Sequence, residues 1–197
     1  MTTARKRRST LSAGQARVLR EYERILEATG LSPERVLELV EDEPAAVVPV
    51  LKVMTDQVVR SDVIFGYTMI DMELNTVLIH HFFGTGKKLA AARRTKRYKT
   101  LNTILQNIYL MQKLSIVRSF KDIPKPIVSK IAAINDLRNG LAHTFFVRDL
   151  KPAKRTYHGH SIFTVKGLEA FLEDVQEIRY FFMPWLKSIL EDGEHEA

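Results

Sequence analysis

The stretch Pro126-Ile127-Val128-Ser129-Lys130-Ile131-Ala132-Ala133-Ile134-Asn135-Asp136-Leu137-Arg138-Asn139-Gly140-Leu141-Ala142-His143 decides how the chain is read. Its apolar residues Ile127, Ile131, Ile134, Leu137 and Leu141 step by four, three, three and four. Those steps keep one side of an α-helix continuously apolar, so the stretch predicts a helix that starts near Pro126 and buries one face.

The segments around it repeat that logic. Residues 98–117 predict a helix with Leu101, Ile104, Leu105, Ile108, Met111 and Leu114 as its stripe, and Ile123-Pro124-Lys125-Pro126 breaks the chain before the next. Upstream, residues 46–83 predict a long helix. Its second half is apolar on most sides (Val63, Ile64, Phe65, Ile70, Leu74, Phe82), as a central buried helix would be. Gly84-Thr85-Gly86 closes it, and the basic segment that follows is expected to start as a loop. Residues 12–29 and a second stretch opened by Ser32-Pro33-Glu34 predict two short helices. After His143, two short strands are expected within 144–165, the second being Ser161 to Val165. A last helix over 166–190 is expected to bend at Pro184. The chain is therefore expected to be all-α. A basic tail and helical extension occupy 1–45, a bundle 46–190 and an acidic tail 191–197.

The end of the central stretch carries chemistry. Arg138 offers a fixed charge and a donor fork for phosphate, Asn139 a neutral donor and acceptor, and His143 a proton acceptor near neutrality. The chain supplies a control. Arg155 and His160 have the same spacing in a loop or hairpin, so the spacing alone means little. What distinguishes the first pair is the Asn directly after Arg and the regular helix leading in. On that helix Asn139 and His143 share a face, while Arg138 is turned about 100° from Asn139 and about 140° from His143. One copy therefore aims Arg and His poorly at a single phosphate. Either the helix ends near residues 140–142 and lets His143 swing round, or two copies build one composite site across a two-fold axis.

Charge is segregated. Net charge is +7 over 197 residues, yet residues 87–155 hold 17 Lys or Arg against Asp122, Asp136 and Asp149. Lys87, Lys88, Arg93, Arg94, Lys96, Arg97 and Lys99 fall within thirteen residues that contain no acid. Clustered positive charge is the footprint of a nucleic-acid partner, and the plainer reading is a solvated helix face. The absence of cysteine excludes disulfides, thiolate zinc sites and cysteine catalysis. No apolar run approaches the roughly 18 residues of a membrane span, and none follows the basic Arg5-Lys6-Arg7-Arg8, so a cytoplasmic protein is expected.

The run Leu137-Arg138-Asn139-Gly140-Leu141-Ala142-His143 resembles the motif of the HEPN superfamily: Arg, a polar residue, a short gap, then His, late in the third helix of a four-helix up-and-down bundle. The resemblance extends over about 61–190. It includes the acid-bearing long helix (Asp71, Glu73), a Lys-rich second helix and a closing helix after a short hairpin-like insert. It implies a homodimer, and in many members a metal-independent endoribonuclease of toxin, antiphage or RNA-processing type, some of them restrained by an antitoxin or regulatory protein. By position, Arg138 would stabilise the scissile phosphate, His143 would move the proton of the 2′-hydroxyl, and Asn139 would support the geometry. Neither metal nor cofactor is implied. Other members are non-catalytic dimerisation or regulatory modules that bind nucleotide or nucleic acid.

Remaining candidates have plainer readings. His80 and His81 point about 100° apart and suit core or surface packing better than a metal. His158 and His160 would need further ligands. Asp71 and Glu73 need partners in an apolar helix, and a structural pair with a cation of a neighbouring helix is the expected one. Tyr98 and Tyr157 are possible base-stacking groups, whereas Tyr109 is expected in the core. The basic arm and the two short helices also permit a DNA-binding regulator, though without a helix-turn-helix signature.

Overall fold

The computed structural model describes residues 13–30, 32, 47–142 and 155–195. Within them the chain is mostly helical, as expected: α1 (Ala13–Ala28), α2 (Val47–Phe83), α3 (Gly86–Ala92), α4 (Lys96–Asn107), α5 (Leu110–Arg118), α6 (Lys125–Ala142) and α7 (Val165–His195), with a two-residue hairpin of β1 (Thr156–Tyr157) and β2 (His160–Ser161) before the last helix. No helix among the described residues is long and apolar enough to cross a membrane.

Three elements differ from expectation. The helix expected over 98–117 is two, because Ile108 and Tyr109 adopt extended backbone with ψ of 151° and 155°. The Tyr109 N–H donates to Gln112 Oε1 at 2.9 Å, so a side chain caps the new helix. The start of the basic segment is helical rather than looped, since Lys87-Lys88-Leu89-Ala90-Ala91-Ala92 consists of good helix formers and Leu89 is buried. Finally, α7 is already helical at Val165, where a strand was expected.

The chain divides into two compact units. The first takes the described residues within 1–64 and 137–172, the second those within 65–136 and 173–197. In the first unit α1 lays Leu19 and Leu26 on Leu51 of α2, with Tyr22, Met54 and Val58 around them. Gly30, with φ +75°, ends α1, its N–H bonded to the Glu27 carbonyl at 3.0 Å. In the hairpin, Thr156 opposes Ser161 and Tyr157 opposes His160. His158 and Gly159 turn it with φ of +46° and +79°, the paired positive φ of a type I′ turn.

The hairpin is locked to α7. Thr164 Oγ1 accepts from the Gly167 N–H at 3.3 Å, an N-cap, and Glu21 of α1 accepts from the Val165 N–H at 3.1 Å. A Cβ on Gly167 would lie 2.1 Å from the Ser161 carbonyl oxygen, so only glycine lets the hairpin backbone approach. Tyr157 then packs edge-on to Phe171, ring centres 5.7 Å apart.

In the second unit the apolar core gathers Ile70, Leu74 and Leu78 of α2, Leu114 of α5, Ile131 and Ile134 of α6, and Ile178 and Phe182 of α7, all essentially without exposure. Ion pairs run between the same helices. Lys113 of α5, 2% exposed, meets both carboxylate oxygens of Asp71 of α2 at 2.6 and 2.7 Å. Arg179 of α7 meets Glu73 of α2 at 3.0 Å, and Lys130 of α6 meets Asp174 and Glu177 of α7 at 2.6 and 2.7 Å. The expected structural pairing of Asp71 and Glu73 is what the fold contains.

Removing one partner of a buried pair strands the other, which typically costs about 3 kcal/mol or more. Lys113→Met is therefore expected to destabilise the protein by about that amount. Asp71→Asn added to it should restore most of the loss. Urea unfolding of the two single variants and the double variant checks this, and strictly additive losses would count against it.

Candidate functional site

Arg138 and Asn139 sit in the last turns of α6, which stays helical to Ala142. The face carrying Leu137 and Leu141 is buried, which turns Asn139 to solvent and leaves Arg138 half-buried. Arg138 Nη1 donates to Asn139 Oδ1 at 3.2 Å, so the two motif side chains lie against each other. His143 lies outside the described residues, as do the basic arm at 5–8 and the segment 144–154.

A cation that the sequence did not single out also belongs here. Arg60 of α2 directs Nη1 at the Leu141 carbonyl of α6, 3.4 Å away. A cation at the carboxyl end of a helix complements its dipole. Arg60 stands 81 residues from Leu141 in the chain, in the run Val58-Val59-Arg60-Ser61-Asp62, whose spacing gives no hint of the contact. The Arg155–His160 match falls in the hairpin, as read from the sequence, with His160 on β2.

The seven basic residues are all exposed. Lys87 and Lys88 lie on α3, Arg93 and Arg94 on the link that follows, and Lys96, Arg97 and Lys99 in the first turns of α4. Thr95 caps α4, its Oγ1 accepting from the Tyr98 N–H at 3.2 Å. Cations at the amino end of a helix oppose its dipole, so this arrangement costs stability and concentrates positive potential.

The aromatic candidates separate. Tyr109, expected in the core, is 75% exposed, because the break after Asn107 turns it outward as the residue before α5. Tyr157 is buried under α7 and closed to a base. Tyr98 is half-buried beside Phe83, ring centres 5.2 Å apart. His80 faces the Gly84 carbonyl at 3.1 Å through Nδ1, and burial pulls its pKa below the ordinary value. His81 stacks on Phe120 at 3.6 Å. Among the described residues, no group of three or more His, Asp or Glu is placed to hold a metal.

No protein-family model matches this chain, and neither a curated protein nor a solved structure matches it.

Glu73 of α2 is a buried carboxylate, 7% exposed. Burial raises its pKa, while the hydrogen bond and charge of Arg179 act the other way. Its second oxygen, Oε2, is buried and has no hydrogen-bond partner among the described residues. A folded-state pKa above the unfolded one means that Glu73 contributes most in acid and loses that contribution as pH rises through the folded pKa. Glu73→Gln is thus expected to compare best with wild type near neutrality and to lose ground as pH falls into the carboxylate range. Urea unfolding at neutral and acid pH reads this directly, and a pH-independent difference would contradict it.

Proposed function

We propose that this protein is an RNA-binding, metal-independent endoribonuclease of the HEPN kind, with a site completed by a second copy of the chain. The observation that carries the reading is the Arg138–Asn139 pair, side chain against side chain on the last turns of α6 and directly before the Leu141-Ala142-His143 run. Exposed Phe65 and Met72 on α2, 64% and 58% accessible, support self-pairing, since large apolar groups in water favour association.

In this mechanism His143 takes the proton of a ribose 2′-hydroxyl. The oxygen attacks the adjacent phosphorus, the bond to the 5′-oxygen breaks, and that oxygen receives a proton as it leaves. The products are a cyclic phosphate and a 5′-hydroxyl end. Arg138 stabilises the charge that builds on the pentacovalent transition state, where a fixed donor acts most strongly. Asn139 holds the guanidinium in place. The basic residues of α3 and α4 attract the phosphate backbone, and an antitoxin or regulatory partner would act by covering the site or preventing pairing.

A second reading is a non-catalytic dimerisation or regulatory module that binds nucleotide or nucleic acid. It is favoured by the same hydrogen bond, which engages part of the Arg138 donor fork internally.

Incubation of the purified protein with RNA in EDTA separates the two. Cleavage is expected, with Arg138→Ala and His143→Ala slower by about a hundredfold or more. A mixture of the two variants should regain part of the activity if one site draws on both copies. Cleavage by either variant at the wild-type rate would overturn the nuclease assignment, and a monomer by light scattering would overturn the composite site.

A further inference from the structure

A groove of about 520 Å³ opens between the end of α2 and the first half of α4. Phe82, Phe83 and Ile104 form its apolar side, and Lys96, Arg97 and Thr100 its polar rim. Phe82 is 42% and Ile104 49% exposed, so the apolar side faces water. The Arg97 guanidinium lies over the Phe83 ring, 5.8 Å from its centre. No acidic residue occurs between Glu73 and Asp122, so the stretch 74–121, which supplies every residue lining the groove, carries positive charge alone.

The occupant must satisfy both features. It needs a flat apolar face for the phenyl rings and negative charge for the rim. An acidic peptide offers the charge without the flat face. Duplex nucleic acid offers phosphates but keeps its base faces stacked on one another. A single strand presents both, with bases free to lie on aromatic rings and phosphates within reach of Lys and Arg. The volume also falls within the range of sites that hold a nucleotide-sized group, about 300–1,000 Å³.

We propose that this groove is a stacking platform for single-stranded nucleic acid, with a base laid on Phe82 and the backbone held by Lys96 and Arg97. The proposal rests on the nucleic-acid half of the functional reading and not on cleavage. It gives the basic segment a substrate form, unpaired rather than duplex, and places the contact on Phe82, an exposed ring at the end of an otherwise largely apolar helix.

The test uses single-stranded oligodeoxythymidine of about twelve nucleotides, labelled for fluorescence anisotropy. DNA lacks the 2′-hydroxyl and survives the proposed chemistry, so wild-type protein can be used. Wild type is expected to bind the single strand more tightly than the same sequence paired with oligodeoxyadenosine. Phe82→Ala should weaken binding about tenfold, and Phe82→Tyr, which keeps the ring, should bind as wild type. Thr100→Glu, an exposed change that places an acid on the rim, should weaken it as well. Far-ultraviolet circular dichroism of each variant confirms folding. Equal binding of single strand and duplex, wild-type binding by both Phe82→Ala and Thr100→Glu, or no binding at all would overturn the platform. Platform binding by a protein that cuts no RNA would uphold the groove and remove only the nuclease.

Discussion

Two carboxylates on one apolar helix set the terms for the second unit. Asp71 and Glu73 are two residues apart, so they leave α2 about 200° from each other. Neither can reach the cation that serves the other, and neither can stay charged in an apolar setting without one. The chain answers with Lys113 from α5 on one side and Arg179 from α7 on the other. Lys130 of α6, bridging Asp174 and Glu177, adds a third link between helices, and the hydrogen bonds it makes raise its pKa. Such pairs give little net stability, because the desolvation of each ion offsets most of the attraction. What they add is a choice of neighbour: a misplaced α5 would bury Lys113 without Asp71, and a misplaced α7 would leave the buried Glu73 without Arg179.

The helices that could be read from sequence are those with a single wet side. In α6 the stripe of Ile127, Ile131, Ile134, Leu137 and Leu141 is buried throughout, at 5% exposure or less. In α7, Leu168, Phe171, Ile178 and Phe182 behave alike. The second half of α2 was harder for a physical reason. A helix apolar on most sides does not reveal which side meets solvent, and Ile64, Phe65, Met72 and Phe82 prove to be exposed. The break at Ile108–Tyr109 was also hidden, since it contains neither glycine nor proline. Its signal was Gln112, three residues after Tyr109, able to reach back and cap the backbone.

The candidate site was legible only along one helix. Arg138 and Asn139 stand out because they are neighbours at the end of a strongly periodic segment. Arg60 carries no such mark. It comes to the Leu141 carbonyl because Val59 and Val63, both fully buried, fix the rotation of α2 and leave the intervening Arg60 half-buried. Long-range placement of that kind follows from packing, and packing is not written in local spacing. The aromatic groove was half legible for the same reason. Lys96 and Arg97 announced themselves by charge, whereas Phe82 looked like core.

Gly140 bears on why the motif helix is built as it is. Glycine inside a helix costs about 1 kcal/mol relative to alanine, and that cost is normally justified by a backbone conformation other residues avoid. Gly140 has no such justification: it is not among the glycines with positive φ, and α6 remains helical on both sides of it. It is nevertheless buried, between the exposed Asn139 and the buried Leu141. What a side chain of hydrogen supplies there is room. Because α6 persists to Ala142, the about 100° between Arg138 and Asn139 is fixed by the helix, and any convergence of the motif on one phosphate must come from His143 leaving the helical path or from a second helix brought alongside. The second route needs a surface where another helix can approach closely, and Gly140, buried within one copy, does not supply it; the exposed Asn139 and Ala142, three residues apart on one face of α6, lie on the side that a second helix would meet.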